Sequence, residues 1–159
     1  MNPSNRHRLA GASVLASVLV SAAALAQQAP KPEQLIKWRQ SAYQVLAWNN
    51  GRIRANVEGN YNKEEVVKAA TVIAAVANSG LGSLFPASTE VGKGWHDTTV
   101  KPALFTDGPK VAELSAALSK EANELLRVAQ AGTQAEVKAQ AAALNKACKS
   151  CHDDYRSAN

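Results

Sequence analysis

The sequence predicts an all-α protein, and more narrowly an antiparallel four-helix bundle. Three observations carry that prediction. Apolar residues make up 46% of the 159-residue chain, alanine is the commonest of them, and aromatic residues reach only 5%; alanine is the strongest helix former. Nine glycines and six prolines are spaced so that long stretches run without a breaker. Those stretches number four, joined by two short connections and one long crossover, which is the pattern of a bundle. The charged share, 19%, is that of an ordinary globular chain able to bury a core. The length allows one domain and excludes a barrel fold of about 250 residues.

Residues 1–26 stand apart from that domain. Arg6, His7 and Arg8 precede an apolar run from Leu9 to Val20, and Ala24-Leu25-Ala26 has the small-x-small form of a signal peptidase site. The run is shorter than the roughly 18–20 residues of a spanning helix, and serines dilute it. The expectation is a cleaved signal peptide over residues 1–26 and export to the periplasm. The remaining domain, residues 27–159, would carry no membrane anchor. Cleavage removes two of 18 basic residues and none of 13 acidic ones, so the net charge falls from +5 to +3. With no lysine or arginine block, that excess gives no reason to expect nucleic-acid binding.

The first helix is predicted from Pro32, harmless in a first turn, to about Gly59. Ile36, Arg39, Tyr43, Leu46, Asn50, Ile53 and Val57 recur on it at steps of three and four and so share a face. Asn62, with Glu65 as capping-box partner, opens the second, whose apolar side carries Val66, Val67, Ala70, Ile73, Ala74 and Ala77. Gly80 and Gly82 close it. From about Leu84 to Gly108 no period persists, and this segment reads as a long connection of the kind that carries function. The third helix starts at Pro109, turns Val111, Leu114, Leu118, Leu125 and Val128 inward, and stops at Gly132. Thr133 caps the fourth, with Glu136 as its reciprocal partner, and that helix runs to about Arg156.

The chemically specific run lies on the fourth helix: Cys148-Lys149-Ser150-Cys151-His152, which contains the chain's only two cysteines. C-x-x-C-H is the attachment signature of c-type haem, whose vinyl groups take up the two thiols while the histidine ligates iron. Helical spacing turns both cysteines one way and sets His152 one turn beyond Cys148. Three other readings fit less well. A dithiol redox pair belongs at a strand-to-helix junction, and no strand is predicted. Zinc needs four ligands, one more than this run supplies unless His96 or a carboxylate joins. A disulfide across three residues closes too small a loop to stabilise much. The expected cofactor is one covalent haem c per chain, with His152 as the metal ligand.

With that motif near its C-terminus, the chain resembles the cytochrome c′ family, the class II c-type cytochromes. Lys31-Pro32-Glu33 and Lys37-Trp38-Arg39-Gln40-Ser41-Ala42 are similar to the opening of the family's first helix. The run from Cys148 to Arg156 is similar to its haem-binding helix, and Lys101-Pro102-Ala103-Leu104-Phe105 to the crossover covering the haem. The resemblance implies that Arg39 and Gln40 lie near the haem propionates, that Tyr43 projects over the distal face, and that Arg156 sits beside the proximal histidine. It also implies that Phe105 lies against the haem, where the family often has tryptophan. A homodimer through the first two helices is a further implication. Trp38, Trp48 and Trp95 are read as packing or subunit contacts.

The sixth iron position follows by elimination. Methionine is a common second ligand, but the only methionine is Met1, which leaves with the signal, as does His7. His96 remains, in the crossover, and reads as a loop histidine. Five-coordinate iron is therefore expected. Electron transfer with an unnamed redox partner is the first functional reading, and binding of a diatomic gas such as nitric oxide or carbon monoxide the second. No nucleophile–base pair or paired carboxylates can be placed by spacing, so no enzymatic activity is expected.

Overall fold

The computed structural model describes residues 29–157; the expected signal segment lies outside them. Helix α1 (Pro32–Glu58) starts with Pro32 in its first turn and Glu33 at the positive end of the helix dipole. Helix α2 (Lys63–Ala77) is capped by Asn62, whose side chain accepts from the Glu65 N–H at 3.1 Å. The reciprocal half of the expected capping box is made differently. The Asn62 N–H goes to Asn56 Oδ1 at 2.9 Å, and Glu65 turns to Arg52 and Lys68, two cations that attract a carboxylate more strongly than one amide does. Helix α3 (Gly108–Ala131) is followed at once by α4 (Gln134–Tyr155), where Thr133 and Glu136 form the full capping box.

Each helix packs on the next in antiparallel order, and α4 closes back on α1 more sparsely. Among the described residues there is no strand beyond two isolated bridges. The core fills one half of the bundle. Ile53 and Val57 of α1, Val66, Ala70 and Ile73 of α2, Leu125 and Ala129 of α3, and Val137 and Leu144 of α4 meet there, with small alanines letting the helices approach closely. The other half is hollow for a geometric reason. Helix α1 has 27 residues and α2 only 15, so at about 1.5 Å per residue α2 falls roughly 18 Å short. The crossover, residues 78–107, takes the missing place with three short 3₁₀ turns, Leu81–Leu84, Ala87–Thr89 and Pro102–Phe105.

The crossover is fastened to both ends of the described chain. On α1, the Arg39 guanidinium donates to Thr89 Oγ1 (2.8 Å), Thr89 O (2.9 Å) and Thr98 Oγ1 (2.6 Å). Gln40 donates to His96 O (2.9 Å) and accepts from the Trp95 N–H (2.7 Å). Gly94 passes so close to α1 that a Cβ there would stand 2.7 Å from the Lys37 backbone, which only glycine avoids. At the other end Val100 bridges Arg156, the Lys101 N–H donates to Tyr155 O, and the Ser157 N–H donates to Thr99 O, both at 2.8 Å.

Candidate haem site

The hollow half is a cavity of about 620 Å³ between α1, α4, the start of α3 and the crossover, within the ~300–1,000 Å³ usual for cofactor sites. Cys148, Cys151 and His152 all line it, because residues three and four apart on α4 share the face that α2 is too short to cover. Both cysteines are free thiols, and burial raises the pKa of each. Protonated, desolvated thiols lack the depressed pKa that a dithiol redox pair needs. At His152, partial burial first and the Arg156 cation second lower the imidazole pKa, against an opposing effect of Asp153. The neutral ring is thereby favoured, and that is the form that ligates metal.

Arg39, Gln40, Tyr43 and Arg156 line the same cavity. Arg39 is 3% exposed, lies over the Phe85 ring at 4.6 Å, and gives its hydrogen bonds to neutral oxygens. Burial lowers its pKa, with Tyr43 opposing, but a guanidinium keeps its charge in proteins. Tyr43 lines the cavity and packs edge-on against Phe85, ring centroids 6.3 Å apart. Desolvation, then the neighbouring Cys151, pushes its hydroxyl up to about 12, Arg39 opposing, so it is neutral at ordinary pH. His96 lies at the exposed rim with Nδ1 2.8 Å from Asp97 O. Gln40 Nε2 stands 3.3 Å from the same ring nitrogen.

Phe105 lines a second cavity that adjoins the main one and shares Cys151 with it. Leu104 lines both cavities, whereas Phe105 lines the adjoining one alone. In a 3₁₀ turn of about three residues per turn, consecutive side chains diverge by a third of a circle, so only one of the two reaches the main cavity. Trp38, Trp48 and Trp95 are exposed and outside both cavities.

Sequence reasoning missed several lining residues. Asn145 and Tyr155, each three residues from a motif member on α4, were within reach of helical spacing. Phe85 and Thr98 belong to the aperiodic crossover, where spacing carries no information. Asn50 donates to Asn145 Oδ1 at 2.7 Å, and its own Oδ1 is buried without a partner among the described residues.

These residues fit a covalent haem. Two thiols and an imidazole stand on one wall, most of the lining is apolar, and Arg39 is a buried cation with no carboxylate partner among the described residues, so an acidic group in the cavity would complete it. No helix among the described residues is long and apolar enough to cross a membrane.

Comparison with known proteins places this arrangement. The family profile described as Cytochrome C′ matches residues 34–156. Cytochrome c′ of Rhodocyclus tenuis is 61% identical over 127 residues, covering 79% of this chain and 96% of the relative. The cytochrome c′ structure from Thermochromatium tepidum superimposes with a TM-score of 0.78 at 42% identity, over 81% of this chain and 98% of that one. A second cytochrome c′ structure, titled for an unusual ligand-controlled dimer dissociation, gives a TM-score of 0.78 at 41% identity with the same coverage. With the C-x-x-C-H run on the last helix of such a bundle, the chain belongs to the cytochrome c′ family of haem-binding cytochromes.

Proposed function

We propose that this protein is an exported electron carrier holding one haem c through Cys148 and Cys151, with His152 as the only protein ligand to iron. The observation that carries the reading is that these three side chains line one wall of a single cavity. When bound, the haem supplies a metal that exchanges one electron and can accept one further ligand. The chain's own residues do the rest. Arg39 and Arg156 place positive charge at the cavity, Gln40 and Arg39 hold the crossover over it, and the apolar wall excludes water. Export rests on the signal-like pattern of residues 6–26, and no substrate turnover is assigned.

Absorption spectra of the native protein, with acid-acetone extraction, test this reading. Haem should stay with the polypeptide on extraction, and the oxidised protein should lack the weak methionine–iron absorption band of methionine-ligated cytochromes. Complete release of haem, or a clear band of that kind, would defeat it.

A second reading, reversible binding of a diatomic gas, is favoured by Tyr43, a neutral aromatic lining the cavity that holds His152. The reduced protein should then change its spectrum on adding carbon monoxide, and His96→Ala should leave that response unchanged. If His96→Ala converts a six-coordinate spectrum to a five-coordinate one, the vacant-position reading fails. The exposed α1 residues Trp38 (44%), Val45 (39%) and Trp48 (64%) support a homodimer through the outer face of that helix. Sedimentation should give a dimer that Trp48→Glu converts to monomer.

A further inference from the structure

A second cavity of about 500 Å³ adjoins the first between the end of α2, the Leu81–Leu84 turn and the first turns of α3. The two share Tyr43, Phe85, Leu104, Ser115, Leu118 and Cys151. Their linings differ in kind. The main cavity carries Arg39, His96, Lys149, His152 and Arg156, whereas no Asp, Glu, Lys, Arg or His lines the second. Small residues predominate on its outer side, among them Gly80, Gly82, Ala87, Gly108 and Ala116. At Gly82 and Gly108 an added Cβ would meet nothing within 4 Å, so these positions border open space.

We propose that this uncharged cavity is the access site for a neutral diatomic gas, admitted beside Gly82 and Ala116 and passed to the main cavity between Tyr43 and Phe85. The inference rests on the reading of a vacant iron position behind Tyr43. Its physical basis is that ions lose solvation in a passage that offers no charged partner, whereas a small neutral gas loses almost none. Leu81, Phe105 and Val111 supply the kind of apolar wall that takes up such gases, including xenon, away from Asn78 and Ser119. The wall between the cavities is movable at one place, because the Tyr43–Phe85 contact is an edge-to-face pair, not a covalent or ionic tie.

The test exploits a thermodynamic requirement. Narrowing a passage raises the barrier equally for entry and exit, so both rates fall together and affinity is unchanged. The haem-loaded wild type and the variants Gly82→Leu and Ala116→Phe, which lie on different elements, are reduced and mixed with carbon monoxide. Association and dissociation are each expected to slow about tenfold with affinity preserved within about twofold. Phe105→Ala, which enlarges the second cavity, is expected to speed both. Wild-type crystals under xenon pressure should hold xenon between Phe105 and Tyr43. Unchanged rates in both narrowed variants, or a loss of affinity without matched rates, overturns the passage while leaving the vacant-position reading intact. Absence of xenon from the second cavity also overturns it. Failure of the reduced wild type to bind carbon monoxide overturns the vacant-position reading, and the passage with it.

Discussion

Arg39 joins packing and cofactor chemistry in one side chain. Buried, and bonded to Leu84, Thr89 and Thr98 of the crossover, it holds the wall of the cavity that it also lines. Removing it leaves several buried acceptors unpaired, each costly in a desolvated site. Arg39→Ala is therefore expected to destabilise the haem-loaded protein by about 2–4 kcal/mol in chemical denaturation. Lysine should rescue only part of this, since one ammonium cannot span Thr89 and Thr98 as a planar fork does. Gly94→Ala tests the same attachment sterically: a methyl group 2.7 Å from the Lys37 backbone must push the crossover away. The readout is faster proteolysis of residues 90–100 with little change at the far end of the bundle.

The four helices have contrasting ends, and the contrast is measurable. The Thr133 capping box lies at the packed end, far from the cavity. Thr133→Ala should cost about 1 kcal/mol of stability with no change in the haem spectrum. At the start of α2, Glu65 has its pKa lowered, first by the Arg52 hydrogen bond and then by Lys68. A carboxylate whose folded pKa lies below its unfolded one stabilises the fold above the ordinary carboxylate range and loses that contribution as pH falls through the folded value. The stability difference between wild type and Glu65→Gln should accordingly be present at neutral pH, vanish in acid, and shrink with salt. At this scale the sequence was most informative. Proline and asparagine at helix starts, Gly132 and the Thr133–Glu136 pair are local signals, and they located the helix ends to within a residue or two. The expected inward face of α1 does turn inward, but onto two different surroundings. Ile36, Arg39, Ile53 and Val57 are buried, but Tyr43, Leu46 and Asn50 line the cavity, because what stands opposite them is set by the length of α2 and not by their own periodicity. The C-x-x-C-H run was legible because its chemistry is local. Phe85, Thr98 and the place of Phe105 in the adjoining cavity were not, since an aperiodic crossover declares its contacts only once folded.

The whole molecule divides into a packed half and a hollow half that depends on what fills it. A chain with Cys148 and Cys151 both changed to alanine should keep slow hydrogen exchange around Ile73, Leu125 and Val137, and lose it along residues 39–50 and 144–155. Equal protection throughout would mean that the cavity walls stand without a cofactor. The fastening of the crossover has a consequence for chain order. Arg39 on the first helix and Thr99, Val100 and Lys101 against residues 155–157 bring the beginning and end of the domain to one segment. The turn between α1 and α2, by contrast, lies at the opposite pole and touches neither cavity. The same architecture could therefore be written in a different order: with the domain ends joined by a flexible linker and the chain opened at Gly59–Asn60, a circular permutant would retain every wall of both cavities, and its last helix would be translated in the middle of the chain.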